Sequence, residues 1–130
     1  MTDVDKAWLA GIIDGEGCIY ARMEKSGYLK SSVQIIMTHL PTMQEISRIT
    51  EGNAPKQQTP ARTNKHKAWY IQFQAQRGAA LLREILPYMR TKKSQAEIFI
   101  RLMEHRGPRE ALVGELKAAK HDGMEALCTQ

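Results

Sequence analysis

An α+β fold, two antiparallel β-hairpins set among helices, is predicted by three features of this 130-residue sequence. The hydrophobic period switches from helical spacing to two just after Gly17. It returns to helical spacing after Pro41, where Met43, Ile46 and Ile49 share one face. Strict alternation then reappears at Trp69, Ile71 and Phe73, ahead of three further helical stretches. The predicted order is α-β-β-α-β-β-α-α-α.

Each element has its own signals. Thr2 and Asp3 are good N-caps and Asp5 adds an acidic residue near the positive end, so a helix is expected from about Asp3 to Asp14. It carries Trp8, Leu9, Ile12 and Ile13 into apolar surroundings. Ile19, Ala21 and Met23 alternate with Tyr20, Arg22 and Glu24 as a half-buried strand, and Ser26-Gly27 supplies a turn. Val33, Ile35 and Met37 then oppose Ser32, Gln34, Ile36 and Thr38 in a partner strand. Pro41 opens a helix that Gly52-Asn53 closes. The stretch "PKQQTPARTNKHKAWYIQFQAQ" reads as a second, less regular hairpin with its tip near "TNKHK". A one-residue slip at Pro60 or at that tip swaps every side chain across the sheet, so its faces rest on Trp69, Ile71 and Phe73 being core. Helices follow at about Ala79–Met89 and Lys92–His105, then a polar one at about 108–120 after Gly107-Pro108.

Composition narrows the class. An apolar fraction of 42% and a charged fraction of 25% fit a soluble globular domain. No apolar run reaches the ~20 residues of a membrane span, and the start does not resemble a secretory signal, so a soluble intracellular protein is expected. Cys18 and Cys128 form no CxxC pair, which argues against a structural zinc site and fits a reducing compartment. A net charge of +5 favours a polyanionic partner, nucleic acid foremost.

The run "LAGIIDGEG", residues 9–17, carries the chemistry. Ala7, Gly11 and Gly15 are spaced by four and form a bare stripe against which another backbone can pack. That backbone belongs either to this chain's own core or to a two-fold-related copy. A helix C-terminus carries partial negative charge, so Glu16 there is unfavourable without a cation. It is either a solvated turn residue or, with the Gly15 carbonyl, a pair of hard oxygen ligands of the kind Mg²⁺ takes.

"LAGIIDGEG" resembles the namesake motif of the LAGLIDADG homing endonucleases, with differences at Ile12, Gly15 and Glu16. The element order resembles that family's αββαββα core, and "ILPYMRTKKSQAEIF" resembles its later segment. The similarity covers about residues 5–105. It implies a single endonuclease domain over 1–130, with a core at about 3–105, an antiparallel DNA-binding sheet and extra C-terminal helices.

One motif copy implies a homodimer on a pseudo-palindromic DNA site of roughly 20 base pairs, with Ala7, Trp8, Gly11, Ile12 and Gly15 at the interface. In the family the last acidic position, here Glu16, binds a divalent metal, commonly joined by a main-chain carbonyl, here of Gly15. The expected cofactor is Mg²⁺, with Mn²⁺ substituting and Ca²⁺ binding without efficient cleavage. The implied reaction is hydrolysis of both strands across the minor groove, leaving 3′ overhangs. Lys92 in "RTKKSQ" matches the family's basic residue, with Lys93 adjacent to it. His39 stands where relatives order water with glutamine or asparagine, and Met43 where some use arginine. Asp14 is read as structural, tying down the helix end.

The polar strand faces are expected to read the major groove. They present Tyr20, Arg22, Glu24, Lys30, Ser32, Gln34 and Thr38 from the first hairpin. The second offers Arg62, Lys65, Lys67, Tyr70, Gln72 and Gln74, with the lysines near its tip suited to phosphate. Alternative functions on this scaffold are a non-cleaving DNA-binding regulator and an RNA-splicing maturase with host intron RNA as partner. No membrane partner is expected.

Overall fold

The computed structural model describes residues 1–58 and 67–121. The elements are α1 (Asp3–Glu16), β1 (Gly17–Met23), β2 (Leu29–Met37), α2 (Leu40–Thr50), β3 (Lys56–Gln57), β4 (Trp69–Gln74), α3 (Ala75–Ile85), α4 (Lys93–Met103) and α5 (Arg109–His121). A 3₁₀ turn, Leu86–Tyr88, joins α3 to the segment before α4. The sheet is antiparallel in the order β1-β2-β4-β3.

A capping box starts α1: Asp5 N–H donates to Thr2 Oγ1 at 3.0 Å and Thr2 N–H to Asp5 Oδ2 at 3.1 Å. The helix runs two residues past its expected end, so Glu16 lies in its last turn. At its end, a Cβ on Gly17 would stand 2.8 Å from Ile13 O, so the passage into β1 needs glycine. Leu9, Ala10 and Ile13 are buried, whereas Trp8 is 39% exposed and Ile12 half-buried, so within the subunit only Leu9 and Ile13 of the four large residues enter the core.

The β1–β2 turn closes with Gly27 at φ +87° and its N–H on Glu24 O at 2.9 Å. Ile19, Val33, Ile35, Ile71 and Phe73 fill the inner face of the sheet. Val33 pairs with Phe73 and Ile35 with Ile71, which puts the apolar residues of β4 on the inner face, as their alternation suggested. Against these residues lie Leu82 and Ile85 of α3, Phe99 and Leu102 of α4, and Met43 and Ile46 of α2.

One helix begins where composition gave no signal, and another takes an unexpected cap. Helix α3 starts at Ala75, four residues before the expected Ala79. Ala75 makes the corner at φ +47°, Gln74 gives no side-chain cap, and a Cβ on Gly78 would lie 2.6 Å from Phe73 O. The helix is thus held by close packing on the end of β4. Helix α2 is capped by His39, whose Nδ1 accepts from Thr42 N–H at 3.3 Å. Leu112 and Leu116 bury α5, and Arg101 on α4 pairs with Glu115 at 2.9 Å. Among the described residues, no helix is long and apolar enough to cross a membrane.

Candidate functional site

Helix α1 ends where three segments meet. The Asp14 carboxylate accepts Arg90 N–H through Oδ2 and Lys92 N–H through Oδ1, each at 2.9 Å. It therefore ties the segment before α4 to the end of α1, the structural part the sequence suggested. Lys92, thus placed, donates through Nζ to Ile13 O at 3.3 Å and to Gly17 O. Burial lowers the Lys92 pKa, while the Cys18, Asp14 and Glu16 charges act in the other direction and Lys120 adds to the lowering. Lys93 shows no such contacts and is exposed. Glu16 stays exposed beside this lysine. Replacing Asp14 by alanine removes two charge-assisted hydrogen bonds, and a loss of ~2 kcal/mol in urea unfolding is expected.

Among the described residues, the other face of α1 has no partner within the subunit. Val4, Ala7, Trp8, Gly11 and Gly15 are exposed and Ile12 is half-buried, and Val4 reaches 78%. A Cβ added at Gly11 or Gly15 would meet nothing within 4 Å. Of the two partners open to the bare stripe, the chain's own core, as far as the described residues go, does not cover it.

The outer face of the sheet carries most of the expected readers. Tyr20, Gln34, Tyr70 and Gln72 are half-buried, and Arg22, Lys30 and Gln74 exposed, with Thr38 exposed just past β2; Lys67 is exposed but precedes β4 and lies in no strand. Arg22 lies directly opposite Lys30, an unfavourable like-charge pair that only Glu24, 3.4 Å from Arg22, offsets. A shallow cavity of about 220 Å³ opens beside Lys56, Tyr70, Gln72, Gln74 and Arg77.

Ser32 departs from expectation. It is 1% exposed and its hydroxyl has no hydrogen-bond partner. In register it sits between Tyr20 and Gln74, and buried there it is not presented to a groove. Met43 is entirely buried with Ile46 and belongs to packing, not to a water network. His39 spends Nδ1 on the α2 cap and on Thr42 Oγ1 at 2.6 Å, so only its other ring nitrogen is left for water. Arg62 and Lys65 lie outside the described residues. Cys18 and Lys56 also share the outer face, beside Ile36, but were not singled out, although the period of two that selected Tyr20 and Arg22 also selects Cys18.

The donor set at the α1 end tests the implied metal. Glu16 and the Gly15 carbonyl are hard oxygen donors of the right type, but the described residues contain no group of three His, Cys, Asp or Glu side chains able to hold an ion. One subunit fits the metal only in part, and the remaining ligands must come from a second copy, DNA or water.

Neither a family model nor a curated protein matches the chain. Solved structures do. The homing endonuclease I-CvuI in complex with its target in the presence of Ca is 20% identical, with 89% of this chain and 82% of that one covered and a TM-score of 0.66. The archaeal intron-encoded homing endonuclease I-Vdi141I complexed with DNA is 16% identical, with 90% and 84% covered and a TM-score of 0.69. The LAGLIDADG meganuclease I-AabMI bound to uncleaved DNA is 22% identical over 88% of this chain but 43% of its own, with a TM-score of 0.57. The fold of this chain is that of the LAGLIDADG homing endonucleases.

Proposed function

We propose that this chain is a site-specific DNA endonuclease that works as a homodimer and requires a divalent metal, with Mg²⁺ the natural choice. The observation that carries the proposal is at α1: an exposed carboxylate, Glu16, ends a helix whose other face is bare, apolar and unpartnered among the described residues. Packing that face on a second copy brings two Glu16 side chains together beside two outer sheet faces. I-CvuI and I-Vdi141I, whose folds this chain shares, were solved with DNA.

The division of labour follows from the contacts. Exposed Lys30 and Lys67 suit phosphate, which positions the duplex without specifying it. Arg22 suits guanine, and Gln34 and Gln72 suit adenine in the major groove. Two sheet faces following successive groove segments span roughly 20 base pairs. Glu16 with the Gly15 carbonyl would hold the metal, which when bound supplies an activated water and charge stabilisation at the departing 3′ oxygen. Lys92, seated by Asp14 and anchored on α1 carbonyls, presents a half-buried cation to phosphate next to Glu16. Two such centres astride one minor groove would leave 3′ overhangs.

Incubation with a randomised duplex library tests the reading. Cut molecules are expected in Mg²⁺, with bound but uncut ones in Ca²⁺, and both pools should converge on one two-fold-symmetric site. Enrichment of a bound site with no cutting in Mg²⁺ favours the regulator; no binding to any duplex ends the proposal.

A further inference from the structure

The outer end of α5 lies where the fold's core alone would leave open sheet. Leu112, Leu116 and Lys120 are spaced by four and form one stripe, of which the two leucines are buried. Their packing therefore sets where Lys120 goes. Its ammonium lies 3.6 Å from Cys18 Sγ and 5.9 Å from the centroid of the Tyr20 ring. Both are outer-face positions of β1, and Cys18 follows Glu16 by two residues.

We propose that Lys120 binds a backbone phosphate of the duplex next to the Glu16 centre, making α5 part of the DNA interface. The inference rests on the function proposed above. A lysine in the last turn of a helix ordinarily offsets the negative terminus, which would keep its ammonium over α5 carbonyls. Here it instead reaches across to a neighbouring strand. Among the described residues it forms no ion pair, and its neighbours are a thiol and an aromatic face, which leave most of its charge unbalanced. It is also near enough to Lys92 to help lower that lysine's pKa. Two cations thus flank the exposed Glu16 region with no carboxylate between them in a salt bridge. A phosphate is the ligand that satisfies both.

Salt titration of binding to a mixed-sequence 30-base-pair duplex in Ca²⁺ separates this role from a structural one. Lys120→Ala is expected to reduce the slope of log affinity against log salt by about 1 per subunit, and to weaken binding equally on all sequences. Lys120→Arg should restore the slope. Arg109→Ala, which removes the same charge at the exposed far end of α5, should leave it unchanged. A duplex should also slow alkylation of Cys18 by iodoacetamide in the wild-type chain, read by mass spectrometry of its tryptic peptide. A wild-type slope in Lys120→Ala, or a Cys18 rate indifferent to DNA, overturns the inference alone. A wild-type chain that binds no duplex overturns the function beneath it.

Discussion

Exchanging Glu16 for glutamine is expected to slow strand cutting by at least ~100-fold while duplex binding in Ca²⁺ persists, since even outer-shell partners of a metal ligand are worth 10–100-fold. The side chain keeps its size and loses only its charge. Stability should not fall. A carboxylate in the last turn of α1 opposes the helix dipole, so its neutralisation is worth ~0.3–1 kcal/mol in favour of the folded chain. Binding should hold or tighten, because a negative charge is removed next to phosphate. The combination of a stabler, DNA-competent and inactive protein is the signature, read by gel assay of cutting, anisotropy of binding and urea unfolding. Cutting at the wild-type rate would remove Glu16 from the chemistry.

Substituting Gly11 by leucine should separate fold from assembly. A Cβ there meets nothing in the subunit, and leucine is a better helix former than glycine by up to ~1 kcal/mol, so unfolding of the subunit should shift slightly upward. Two α1 helices in close contact, by contrast, cannot admit two isobutyl groups at their seam. Light scattering should report a monomer where the wild type is a dimer, and cutting of both strands in one event should be lost. A Gly11→Leu chain that stays dimeric and fully active would show that the bare stripe is not the seam. One that is markedly less stable would show that another part of the subunit covers it.

The strands were legible because alternation is a local property. Ile19, Val33, Ile71 and Phe73 each sit on the face their period assigns, so the apolar residues of β4 alone located its inner face. Helix ends were less so. Glu16 was placed beyond α1 because glycines on either side suggest a break, yet the backbone continues helically until the close approach at Gly17. The start of α3 escaped because the corner at Ala75 is enforced by packing between Phe73 and Gly78, which are not neighbours in a pattern sense. Within the candidate site, Asp14 was correctly read as structural, but its partners at Arg90 and Lys92 are tertiary and carry no spacing signal. Ser32 shows the limit of parity: it is on the expected face, but lies buried there between its cross-strand neighbours.

Among the described residues, both margins of the sheet offer little to strand addition. At one, β3 is two residues long and offers few unpaired amides; at the other, α5 packs against β1. A basic four-stranded sheet with an exposed outer face is otherwise a template for edge-to-edge polymerisation. With both margins blunted, the self-association proposed for the α1 face would join copies in a closed pair instead of an open-ended fibril.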